Sequence, residues 1–155
     1  RWGPHGHERS NARLIRSRLV TDRAEDARFV TFYRDGLSPE NAVPQINEAL
    51  APHLPVSVLV LGMGDDMHTA SLFPGAPGLA EALAHTAPPV AVIRPEVQPE
   101  ARITLTAPVL DGALSKHLLI TGTDKRIALE RAQSRPPEEA PVQAVLSDVT
   151  VHWAE

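Results

Sequence analysis

Residues 56–75 read VSVLVLGMGDDMHTASLFPG, and this stretch decides the fold. Val56 to Leu61 is a short β-rich apolar run. It is apolar at consecutive positions, as a central strand of a covered parallel sheet is. The run then breaks into Gly62-Met63-Gly64, two aspartates, His68, small hydroxyl residues and a Pro74-Gly75 stop. In an open α/β sheet, ligands sit beyond the carboxyl ends of the strands, so the segment after Leu61 is where a site is expected. Gly62 and Gly64 let the backbone turn sharply and approach a ligand. The ordinary pKa of histidine lies near neutrality, which makes His68 the natural general acid/base. Asp66, two residues earlier, is placed to hold the imidazole in one tautomer.

Outward from this segment, the pattern alternates strands with helices. Val90 to Ile93, Ile103 to Thr106 and Leu118 to Thr121 are further strand candidates, and Val149 to Trp153 alternates as a last, edge strand. Phe29 to Tyr33 is a short β-rich run. Ser10 or Asn11 caps a helix carrying Leu14, Ile15 and Leu19. Ser38-Pro39 suits an N-cap and first helical residue, but Pro44 conflicts with that start, and Asn41 is the alternative. Asp124 to Ala132 reads as a helix capped at Thr123 or Asp124. Strands interleaved with helices imply an α/β layered sheet.

The chain has 155 residues, the size of one domain, residues 1–155. Its 43% apolar and 22% charged residues exclude wholesale disorder. No apolar run approaches the length of a membrane helix. With no cysteine there is no disulfide framework, thiolate metal site or cysteine nucleophile, which fits a reducing compartment. The formal net charge of -4 argues against a nucleic-acid partner. Of the 15 basic residues only Lys116 and Lys125 are lysines, and Lys116 reads as an exposed turn residue. Lys125 falls in the first turn of a helix, where a cation opposes the macrodipole. Arg102 shares a strand face with Thr104 and Thr106, opposite Ile103 and Leu105; the competing readings are a phosphate grip and a surface ion pair with Glu96 or Glu100. A nicotinamide cofactor is rejected, because Met67 replaces the third glycine of the dinucleotide fingerprint. His5 and His7 invite a metal reading, but a third ligand is unspecified.

The segment LGMGDDMHTASLFPG resembles the active-site signature of the 6-phosphogluconolactonase family, roughly G-x-G-x-D-G-H-x-A-S-L-F-P. Arg1, Pro4, His7, Ser10 and Asn11 resemble the family's R-x-V-P-x-x-H-x-x-S-N loop. Arg102 to Thr106 resembles its R-I-T-L-T strand, and Gly122 to Lys125 its G-x-x-K turn. Met67 departs from the family's glycine before the histidine, and Gly3 from its valine. The resemblance implies a three-layer Rossmann-like, mostly parallel sheet with helices on both faces. It implies a cytoplasmic carboxylic-ester hydrolase of the pentose phosphate pathway, acting on 6-phospho-glucono-1,5-lactone without metal or cofactor. By resemblance His68 is the base, which Asp66 would orient; from their positions Lys125, Arg102 and the helix N-terminus together are expected to hold the phosphate. The backbone N–H groups of the Gly62–Gly64 turn are candidates for the oxyanion or a sugar hydroxyl, and by resemblance His7 lies near the substrate, with Asn11 of the same loop a further candidate. Full-length members carry a further N-terminal portion with a Gly/Ser-rich phosphate loop, so the chain is expected to be a piece of a longer one, its sheet incomplete at the N-terminus.

Three rival readings remain. An amino-sugar-phosphate isomerase/deaminase shares the fold but places a Glu five residues after its histidine; here that residue is Phe73, which cannot polarise an imidazole. The others are a non-catalytic sugar-phosphate-binding module and an interaction domain whose His68 and Asp66 are incidental.

Overall fold

The computed structural model describes residues 1–96 and 100–155. Three strands form a parallel sheet in the order β1-β4-β5: β1 (Leu59–Gly62), β4 (Lys116–Thr121) and β5 (Val149–Ala154). Leu59 pairs with Lys116 and Gly62 with Leu119, while Lys116 pairs with Val149 and Thr121 with Ala154. Two further strands, β2 (Val90–Ile93) and β3 (Arg102–Leu105), pair antiparallel as a separate ribbon. The α/β sheet read from the sequence is present, with its parallel part on β1, β4 and β5. The antiparallel ribbon stands beside this parallel sheet as a separate pair.

The main core lies on one face of the parallel sheet. Leu59, Leu61, Leu118 and Ile120 meet Leu72, Leu110, Val142 and Val145 there, together with Ala128, Leu129 and Ala132 of α5 (Thr123–Ala132). The opposite face leaves Val58 and Val60 each 61% exposed and Leu119 49% exposed. The run at 56–61 is therefore covered on one side among the described residues, rather than on both. A second core joins Ala42 and Ile46 of α2 (Pro39–Leu50) to Val90 and Ile103 of the ribbon.

Helix starts follow their caps. The Ser10 side chain accepts from the Arg13 amide and opens α1 (Asn11–Arg18). The Ser38 hydroxyl accepts from the Asn41 amide, so α2 begins at Pro39 and runs through Pro44. Pro44 removes the amide that would bond Glu40. Burial of Ala42 and Ile46, and the Asn47 side chain accepting from Val90 N at 3.0 Å, hold the helix in spite of it. The short helices α3 (Leu79–Leu83) and α4 (Ala107–Asp111) link the ribbon to the main core.

Two expectations are corrected. Residues 29–33 form no strand; Phe32 packs into the second core and Tyr33 stacks near Trp2 instead. Lys116 is a buried strand residue, not an exposed turn. Its ammonium donates to the Asp111 carbonyl at 3.2 Å, the Asp111 carboxylate at 2.5 Å and Ser147 Oγ at 2.9 Å. Those three acceptors make burial of the charge tolerable.

Candidate active site

The chain leaves β1 at Gly62 and folds back on itself before Phe73. Thr69, fully buried, donates through Oγ1 to the Gly62 carbonyl at 2.8 Å and bridges to both Met63 and Leu72. Gly64 N donates to the His68 carbonyl at 2.9 Å, and Met67 N to the Gly64 carbonyl at 3.0 Å. These bonds turn the loop so that Asp66 and His68 stand together. The His68 Nδ1–Asp66 Oδ1 distance is 2.6 Å, and the same carboxylate oxygen accepts from the His68 amide at 3.2 Å. A carboxylate accepts only, so Nδ1 carries the proton and Nε2 is left as the basic nitrogen.

The two glycines differ in what they supply. A Cβ on Gly64 would strike the His68 imidazole and sit 2.5 Å from Asp66 Oδ1, so the pair forms only above a bare backbone. A Cβ on Gly62 would meet nothing closer than the Leu119 carbonyl at 3.8 Å. Met67 takes φ +65°, a region costly for a side chain. That conformation accounts for the glycine in the resembling signature. Here the side chain finds room in the main core, 8% exposed, and the Met67 carbonyl accepts from Val142 N at 3.0 Å. Burial of an apolar side chain offsets the strain.

A cleft of about 410 Å³ opens beside this loop, lined by Gly62, Met63, Gly64, His68, Ala70 and Lys125, with Val60 and Leu61. Lys125 reaches it from the first turn of α5. Its ammonium donates to the Met63 carbonyl at 2.6 Å and lies 3.8 Å from the Asp65 carboxylate. The carbonyl and the acidic neighbour offset the unfavourable helix end. His68, Asp66, Gly62, Gly64 and Lys125 thus come together.

Arg102 opens β3 one ring away. It is 8% exposed, and its guanidinium carbon lies 5.7 Å from the centroid of Phe73, which itself contacts His68. The loop is tied to this strand by Ser71 N donating to Thr104 Oγ1 at 3.2 Å. Burial first, and the positive Arg1 second, push the Arg102 guanidinium below its ordinary pKa, with Glu100 opposing. Glu100 itself pairs with Arg9 at 2.9 Å. His7 lines a cavity of about 250 Å³ with Arg1, Arg9 and Glu100, and its Nδ1 accepts from Arg9 N at 3.1 Å. Asn11 lines a neighbouring aromatic cavity with Trp2, Phe29, Phe32 and Tyr33. The amide of Trp2 donates to the Ala101 carbonyl at 2.8 Å, which sets this N-terminal loop beside Arg102. Neither His7 nor Asn11 lines the cleft that holds His68.

Phe73 is the member of this arrangement whose contact with His68 sequence reading missed. The motif contained it, but its stacking depends on the loop folding back. Among the described residues no group of three or more metal-ligating side chains is assembled, and no helix is long and apolar enough to cross a membrane.

This geometry can be set beside known proteins. A 6-phosphogluconolactonase from Pseudomonas aeruginosa is 41% identical over 158 aligned residues, covering 99% of this chain and 66% of that protein. One from Pseudomonas putida is 38% identical, covering 99% and 64%. The chain therefore spans about two thirds of the length of these curated relatives. The crystal structure of a 6-phosphogluconolactonase from Shewanella baltica superposes with a TM-score of 0.93 at 30% identity, covering all of this chain and 69% of that one. The sequence profile described as glucosamine-6-phosphate isomerases/6-phosphogluconolactonase matches residues 1–153, and the chain belongs to that family.

Proposed function

We propose that this chain carries the base-bearing part of an enzyme that hydrolyses 6-phospho-glucono-1,5-lactone to 6-phosphogluconate. The observation that carries the reading is the 2.6 Å contact between His68 Nδ1 and Asp66 at the mouth of a cleft that Lys125 also enters. A lactone carbonyl is already electrophilic, so the reaction needs one base and some stabilisation of the oxyanion. His68 Nε2 takes a proton from water as the water oxygen attacks the carbonyl carbon. The imidazolium then returns that proton to the ring oxygen as the carbon–oxygen bond breaks. Asp66, 2.6 Å from Nδ1, holds the Nδ1–H tautomer that leaves Nε2 to do this work. Lys125 and Arg102 supply positive charge for the phosphate. His7 and Asn11 border the Arg102 side of the substrate. The identity of the relatives named above and the lack of a carboxylate at position 73 favour the lactonase over the isomerase/deaminase reading.

The test is lactone hydrolysis by the protein and by His68→Ala, corrected for spontaneous ring opening. The variant is expected to lose roughly 10²- to 10⁴-fold in kcat, the usual worth of general base catalysis. Turnover within about twofold of the unaltered protein would overturn the assignment.

A further inference from the structure

Asp66 holds one atom of the His68 ring, and a single hydrogen bond at Nδ1 does not fix the plane of the imidazole. Phe73 supplies the missing restraint. Its centroid lies 4.4 Å from that of His68 with the planes inclined at 31°, a close tilted stack. Phe73 is 7% exposed and belongs to the main core, so its own ring is held from behind. The same ring lies within cation–π reach of the Arg102 guanidinium, 5.7 Å away. It does not line the cleft. We propose that Phe73 is a positioning residue: it locks the plane of the His68 imidazole, so that Nε2 faces the substrate in one orientation, and it ties that orientation to the placement of Arg102. The proposal rests on the lactonase reading for its kinetic consequence, but its structural content is independent of it.

The consequence is a split between kinetic parameters. Loss of the ring disorients the base without removing a substrate contact, so kcat falls and KM stays. Misplacement of a reacting group on the ångström scale costs up to roughly 100-fold in rate. Phe73→Leu and Phe73→Met, which keep apolar volume without a ring face, are expected to lose about 10- to 100-fold in kcat with KM within about threefold. Phe73→Tyr keeps the face and is expected to stay within about threefold in both. Nitrogen-15 NMR of the His68 side chain gives the second readout. The unaltered protein and Phe73→Tyr should show the Nδ1–H tautomer alone, with ring-to-ring Overhauser contacts to residue 73. Without the stack the ring swings off Asp66, which otherwise sets the tautomer, so the Leu and Met variants should show mixed tautomers and lose the His68–Asp66 hydrogen bond. Leu110→Ala, a core deletion on α4, should lower Tm yet leave the tautomer and kcat unchanged. Folded Leu or Met variants with a single tautomer and kcat within about twofold overturn the proposal. So does a Tyr variant that fails to retain both readouts. Should the unaltered protein not open the lactone at all, the functional reading fails, and the tautomer measurement still decides the positioning role.

Discussion

At the amino end of β4, Lys116 is buried to 4% side-chain exposure beside Asp111; beyond the carboxyl end, Lys125 stands 33% exposed beside Asp65. An ammonium has three donors. Lys116 spends its donors on the Asp111 carbonyl, the Asp111 carboxylate and Ser147. Lys125 gives one to the Met63 carbonyl, and at 3.8 Å Asp65 is beyond hydrogen-bond reach. The donors of the first lysine are spent inside the fold, while the second lines the cleft with one hydrogen bond to the protein among the described residues. Position on the sheet separates the two roles, in line with the rule that α/β sheets place their ligands at the carboxyl ends of strands.

The contrast can be broken by exchanging the kind of damage done at each end. Asp111→Ala strands the buried Lys116 charge. Loss of one partner from a fully buried pair costs about 3–5 kcal/mol, and because Asp111 is 49% exposed the expected loss is roughly 2–4 kcal/mol. Urea denaturation should show that loss, with kcat per folded molecule unchanged. Lys125→Met should act the other way. We expect kcat/KM for the phosphorylated lactone to fall by one to two decades, the worth of a charge-assisted hydrogen bond of about 1.5–3 kcal/mol. The unphosphorylated lactone should suffer much less, and Tm should hold. Equal losses on both substrates would make Lys125 a fold residue like Lys116, and the contrast would collapse.

The smallest effect sharpens the comparison through pH. Desolvation pushes the Asp111 carboxyl up, but hydrogen bonds from Lys116 and Ser147 and the Lys116 charge outweigh it and hold the carboxyl below its ordinary value. A depressed folded value means the folded state prefers the carboxylate. Its stabilisation is present above the unfolded value of about 3.9 and is lost as pH falls through the lower folded value. Thermal unfolding followed downward from pH 5 should therefore show a decline in Tm that flattens in Asp111→Asn. An identical slope in both proteins would show that the clasp contributes nothing to acid sensitivity.

What the sequence made legible was local. Gly64, Asp66 and His68 lie within five positions, so their grouping follows from one loop. Ser10 and Ser38 announce their helices by cap chemistry. Lys125 is 62 residues from Met63, and only the strand-to-helix turn pointed to it. The misreadings share a cause. Lys116 reads as exposed because a lysine in a polar stretch ordinarily is; its third acceptor, Ser147, lies 31 residues away. Phe29 to Tyr33 has strand propensity, but propensity only describes fit to a pleated surface, and these aromatics pack around Trp2 and α2 instead. Alternation placed Arg102 and Thr104 opposite the apolar face of β3, yet both are buried at 8% and 3%, because the ribbon is covered on that side by the His68 loop.

The end of β5 holds one more feature of use. Trp153 donates through Nε1 to the Gly122 carbonyl at 2.9 Å, and the Arg126 guanidinium lies 4.8 Å from its ring. Gly122 caps the helix whose first turn carries Lys125. The indole is thus wired to the very residues that aim the cleft's lysine. The sequence contains two tryptophans, and Trp2, 151 positions before Trp153, lines the aromatic pocket with Phe29, Phe32 and Tyr33. Removing either one leaves a single tryptophan, which is excited selectively apart from Tyr33. Trp153 then serves as an optical gauge of how α5 seats on the sheet, and Trp2 as one for the N-terminal loop beside β3, with no label attached.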